Sequence, residues 1–109
     1  MATPEGKVKV AVVKLLNKYS VYYFFPATHG YGRSGVPDIV CCVKGHFLGI
    51  ECKAEGKNMT ALQFKESDKI KAAGGYFLMV DGTNLSELEK GLKELTHVNE
   101  KDNHKTLPL

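Results

Sequence analysis

The chain has 109 residues, 43% hydrophobic, 25% charged and 9% aromatic, with a formal charge of +3. Those figures set one domain with one core and exclude a mostly disordered chain. They allow a nucleic-acid partner without requiring one, because the charge lies below the level that by itself marks a nucleic-acid binder. No apolar run approaches the ~18 residues of a membrane helix, and the start, MATPEGKVKV, lacks a signal-peptide pattern. Three cysteines are an odd number where a disulfide framework uses an even one. The expectation is a cytoplasmic protein with reduced thiols.

In chain order, Thr3 is placed to N-cap a helix that has Pro4 at its first position and Glu5 in its first turn. Val8, Ala11, Val12, Leu15, Leu16 and Tyr19 follow helical spacing, so residues 4–18 read as an amphipathic helix. Val21 to Phe25 is aromatic and β-branched, a strand ended by Pro26. A glycine-rich loop, ATHGYGRSG, fills 27–35. Val36–Val43 and His46–Ala54 read as two strands joined at Lys44-Gly45, where glycine supplies the positive φ of a tight turn. Thr60 and Gln63 have capping-box spacing ahead of a helix over 61–73 that Gly74-Gly75 stops. Tyr76–Val80 is a short strand, and Leu85, Leu88, Leu92 and Leu95 stripe a last helix with Asn84 and Glu87 as a second capping box. Residues 98–109 lack periodicity and read as a frayed tail. The order α-β-β-β-α-β-α predicts an α/β mixed sheet with helices for both faces.

The register of the hairpin follows from its turn. A loop centred on Lys44-Gly45 pairs Val43 with His46, Cys41 with Leu48, and Asp38 with Glu51. Two carboxylates then face each other across the strands with Cβ atoms ~5 Å apart, and Lys53 lies two residues on, on the same face as Val40, Cys42, Phe47 and Gly49. At an effective dielectric of ~20, the repulsion is roughly 3 kcal/mol before solvent screening. A shared proton or a divalent cation would relieve it, and an all-oxygen donor set suits Mg²⁺ or Mn²⁺ rather than Zn²⁺. Glu5 heads the helical stripe 5, 8, 12, 15, 19. If that helix packs over the Val40/Phe47 face, Glu5 reaches the pair.

Pro37-Asp38, twelve intervening residues and Glu51-Cys52-Lys53 resemble the active-site signature of the PD-(D/E)XK nuclease superfamily. The element order resembles its restriction-endonuclease-like αβββαβ core. Closer still, GRSGVPDIV, FLGIECKAE and MTALQ resemble the VRR-NUC branch, above all its short stand-alone phage and bacterial members. The resemblance spans roughly residues 3–82. It implies a nuclease domain over 1–97 that hydrolyses phosphodiester bonds in DNA, duplex or branched (four-way junctions included), as a homodimer in a bacterial or phage-infected cell. It further implies that Asp38, Glu51 and the Cys52 backbone carbonyl ligate Mg²⁺ or Mn²⁺. Lys53 would be the catalytic lysine, Glu5 the glutamate of the first helix and a further metal partner, and Gln63 the glutamine that completes the site.

Each of these residues has a plainer reading. Asp38 and Glu51 can be a solvated strand end paired with Lys53 and Lys57, Glu5 can serve only the helix dipole, and Gln63 can serve only the capping box. Cys41, Cys42 and Cys52 with His46 do not suit zinc. Cys41 and Cys42 face opposite sides of the strand, and Cys52 lies ~13 Å along from the partner of Cys41. The loop residues His29, Tyr31, Arg33 and Ser34 are candidates for DNA contact, with Arg33 as a phosphate clamp and Tyr31 as a stacking surface. The rival functions are a non-catalytic nucleic-acid-binding module on the same fold and an interaction protein docking through its leucine helix. Residues 1–80 carry eleven Lys/Arg against six Asp/Glu, and 81–109 four against six. The proposed core is thus more basic than the total.

Overall fold

The computed structural model describes residues 3–27 and 34–97. The expected tail, 98–109, lies outside the described residues. Helix α1 spans Pro4–Lys18, followed by β1 (Tyr22–Phe24), β2 (Ile39–Val43), β3 (His46–Cys52), α2 (Ala61–Ala72), β4 (Tyr76–Val80) and α3 (Leu85–Thr96). The Thr3 hydroxyl accepts from Gly6 N–H at 3.0 Å and Pro4 occupies the first helical position. The start of α1 is therefore determined by local chemistry alone.

The strands form one four-stranded sheet in the order β1-β2-β3-β4. The β2–β3 hairpin turns through Lys44 and Gly45, both at positive φ (49° and 87°), as a two-residue type I′ connection requires. Its register is the expected one, from Val43↔His46 to Ile39↔Ile50. β1 joins β2 antiparallel. β4 joins β3 in parallel, which α2 makes possible as the crossover between them. At the end of α2, Gly74 takes φ +91° and Gly75 N–H returns to Ile70 O, so the two glycines do stop that helix.

The core lies on one face of the sheet. Ile39, Cys41, Val43, Leu48, Ile50, Cys52 and Val80 are buried beneath Val8, Val12 and Leu16 of α1 and Leu88 and Leu92 of α3. The leucine stripe is therefore core. On the other face α2 is the one helix that packs among the described residues, with Ile70 and the Pro37 ring over Gly49. That contact is close enough that a methyl group at Gly49 would lie 2.8 Å from Pro37 Cγ.

The condition attached to Glu5 is not met: α1 covers the Ile39/Ile50 face, not the Val40/Phe47 face, because its buried stripe Val8-Val12-Leu16 matches the more continuously apolar side of the sheet. Three expectations need correction. Helices do not cover both faces fully, since Tyr22, Phe24 and Phe47 remain exposed. Strand pairing ends at Ile39↔Ile50, short of the strand bounds expected from composition, as the chain bends at Asp38. Finally, α3 starts at Asn84 without a side-chain cap bond. The Asn84 amide instead donates to Met79 O at 2.7 Å and accepts from Asp81 N–H, so its side chain braces the β4–α3 turn.

The core places a stability prediction on α3. Leu92→Ala, at a position 1% exposed, is expected to cost about 2–5 kcal/mol in urea unfolding, whereas Cys42→Ala on the open face should change stability by less than about 0.5 kcal/mol.

Candidate active site

The site forms where β2 leaves its ladder with β3. One residue beyond the last pair, the Asp38 carboxylate Oδ2 accepts the Cys52 N–H at 2.9 Å. A side chain thus takes over the strand hydrogen bond as the backbone of β2 diverges. Asp38 is thereby held against Glu51, as the register predicts, although by a side-chain bond rather than by ladder pairing.

Glu51 is only 3% exposed. Its Oε2 accepts from Gln63 Nε2 at 2.9 Å and lies 3.8 Å from Lys53 Nζ. Its Oε1 is buried and has no hydrogen-bond partner among the described residues. Burial, followed by the neighbouring Asp38 charge, pushes the Glu51 carboxyl up to about 7, with Lys53 opposing. The sequence pointed to like-charge repulsion as the governing effect. Burial ranks ahead of it, because β3 is an interior strand and Gln63 of α2 lies over this end of it.

Gln63 performs both of the roles open to it. Its Oε1 accepts from Thr60 N–H and its backbone N–H donates to Thr60 Oγ1, completing the capping box, while its amide nitrogen donates to Glu51. Glu5, exposed on the first turn of α1, is not gathered into a ligand set. Among the described residues no three His, Cys, Asp or Glu side chains converge as a metal site, yet the Glu5 charge still contributes to raising Glu51. The helix that carries it, α1, lies on the opposite face of the sheet. Ser34 is exposed; His29, Tyr31 and Arg33 lie outside the described residues. Cys41 and Cys52 are buried thiols pushed up to about 12, above all by burial, and Cys42 is exposed.

The residues present fit a divalent cation. The orphaned Glu51 Oε1 is a buried acceptor that lacks a donor, and the neighbouring carboxylate oxygens are hard ligands of the kind Mg²⁺ and Mn²⁺ prefer.

The architecture, an α/β mixed sheet with paired carboxylates and a lysine at the diverging end of its central hairpin, defines a class of domain that comparisons with known proteins narrow. A solved chain described as "VRR_NUC domain" superposes with a TM-score of 0.65, covering 90% of this chain and 100% of that one at 22% identity. The fold is that of a VRR-NUC domain. Over 58 residues the chain is 36% identical to "Putative nuclease p44" of Acyrthosiphon pisum secondary endosymbiont phage 1, a match covering 52% of this chain and 62% of that protein. The chain thus matches less than two thirds of that relative's length. No protein-family model matches it.

The raised Glu51 carboxyl sets a pH signature. The folded state holds this proton more tightly than the unfolded chain, whose carboxyl has its ordinary value of 4.5. The associated stability is full below that value and is lost as pH rises through about 7. In EDTA, thermal unfolding should shift to lower temperature between pH 5 and 8, and Glu51→Gln should flatten that slope. An equally steep slope in the folded variant would assign the titration elsewhere.

Proposed function

We propose that the chain is a metal-dependent endonuclease that hydrolyses phosphodiester bonds in DNA. The observation that carries this reading is the buried, unpartnered Glu51 Oε1 beside Asp38, with Lys53 and Gln63 both on the other oxygen. That arrangement leaves one face of the carboxylate pair free for a cation. The nuclease-named phage relative and the VRR-NUC fold support the same reading.

Asp38, Glu51 and the Cys52 backbone carbonyl would hold Mg²⁺ or Mn²⁺, with Glu5 adding negative charge at the edge of the site. Bound there, the cation would lower the pKa of an attacking water and offset charge on the scissile phosphate. The chain's own residues do the positioning. Gln63 fixes the rotation of the Glu51 carboxylate, and the Cys52 N–H fixes Asp38. Lys53, 14% exposed at its side chain, holds its ammonium where it can orient the attacking water or meet a phosphate oxygen. Ser34, with His29, Tyr31 and Arg33 of the preceding loop, would contact DNA flanking the cut. In-line attack would leave a 5′-phosphate and a 3′-hydroxyl. One small domain covers a short stretch of duplex, so a symmetric dimer acting on the two strands of branched DNA fits the reading.

Purified protein should cleave plasmid or four-way-junction DNA in Mg²⁺ or Mn²⁺ and stop in EDTA. Glu51→Gln and Lys53→Met, confirmed folded by circular dichroism, should each lose at least ~100-fold in rate. Undiminished cutting by folded Lys53→Met would remove the lysine from the site. Salt-dependent DNA binding without cleavage in any divalent cation would make the domain a binding module instead.

A further inference from the structure

The sheet face that carries the carboxylates is half open, and the open half is aromatic. Tyr22 and Phe24 of β1 pair with Cys42 and Val40, which pair in turn with Phe47 and Gly49, so all six side-chain positions share one face. Tyr22 is 70% exposed, Phe24 48% and Phe47 42%. The alternate residues of the segment lie on the α1 side of the sheet: the half-buried Tyr23 donates its hydroxyl to Asn17 Oδ1, and Phe25, itself exposed, lies under Lys9 of α1. A contiguous exposed apolar patch of this kind on a small domain marks an interaction surface.

We propose that this open half-face is a stacking platform for unpaired bases, with Phe24 and Tyr22 as its rings. The platform would lead a single-stranded stretch of nucleic acid to Asp38 and Glu51. The inference rests on the nuclease reading and specifies its substrate.

Three observations select this occupant. The first is direction. At Gly49 on β3 the face is closed by Ile70 of α2 and the Pro37 ring, so a strand with a phosphate at the carboxylates leaves across β2 and β1 rather than over Gly49. Val40 lies two residues along the chain from Asp38, and Phe24 is its register partner.

The second is spacing. Tyr22 and Phe24 stand two residues apart, ~6.7 Å along the strand, about twice the 3.4 Å repeat of stacked bases along one strand of B-DNA. Successive bases of an intact duplex cannot each meet a ring, whereas splayed bases of a single strand can. The third is charge. Between Lys44 at the hairpin tip and Asp38, the positions of this face (Tyr22, Phe24, Val40, Cys42, Phe47 and Gly49) are all uncharged, so nothing on the platform repels a polyanion and a lysine stands at its far end. A second copy of the chain seated here would instead obstruct the approach to the carboxylates.

The test uses the full chain in EDTA, where cutting is off, and measures fluorescence anisotropy of a labelled 12-nucleotide oligo(dT) and of a 12-base-pair duplex. Phe24→Ala and Tyr22→Ala should each weaken oligo(dT) binding about tenfold or more and leave duplex binding unchanged. Tyr76→Ala, an exposed aromatic of the opposite face, should change neither. Phe24→Trp should retain affinity, and because the chain has no other tryptophan, its emission should be quenched by oligo(dT). Unchanged oligo(dT) binding in the Tyr22/Phe24 double alanine variant overturns the platform, even if the protein cuts DNA. A dimer in sedimentation that dissociates in the double variant, with DNA binding unaffected, overturns it in favour of a second copy. Loss of oligo(dT) binding in the variants of a protein that never cleaves supports the platform and removes the nuclease reading alone.

Discussion

The candidate site depends on one hydrogen bond, from the Cys52 N–H to the Asp38 carboxylate. Where β2 bends away from β3, a backbone donor at the end of the central strand needs another acceptor, and an unsatisfied buried N–H costs about 1–3 kcal/mol. Asp38 supplies it and in doing so sets a carboxylate beside Glu51, which burial already makes reluctant to ionise. The repulsion is thus held in place by a bond the sheet requires. Neither carboxylate can retreat, since the Cys52 N–H holds Asp38 and Gln63 holds Glu51.

The division of labour between the two sheet faces follows from the helices. α1 and α3 bury the centre of one face with valine and leucine side chains. α2 is a different kind of helix. Its buried residues are Glu66 and Ser67, its Leu62 and Phe64 are exposed, and it reaches the sheet mainly through Ile70 and Gln63. One side of the sheet therefore supplies stability, and the other keeps its polar groups and open rings available. The carboxylates belong to the side that the fold does not need to close.

Much of this was legible in the sequence, for reasons that differ by element. The bounds of α1 follow from Thr3 and Pro4, and the β2–β3 register from a two-residue turn, both local chemistry that tertiary packing does not alter. The same register brings Asp38 to Glu51. What sequence alone left hidden was long-range. The side of the sheet chosen by α1 could not be read because both faces of the hairpin are apolar. The diversion of Asn84 from capping to bracing depends on where Met79 O lies after folding. The ranking of burial over repulsion at Glu51 depends on β3 being interior and on Gln63 of α2 lying over its end. The exposed Tyr22/Phe24 row was visible only as an aromatic strand, and which face it occupies was settled by its pairing with Cys42 and Val40 and by α1 lying on the other side.

The capping box at Thr60 also bears on which amino acid can occupy position 63. As a helix start, the motif accepts glutamate as readily as glutamine. Here the side chain must accept at one end, from Thr60 N–H, and donate at the other, to Glu51. Only a neutral amide meets both demands; a carboxylate would set a third negative charge against the buried pair. Winding the first turn of α2 and orienting the Glu51 carboxylate therefore rest on one side chain. Fraying of one helix end would disorder the site before the core loses any packing.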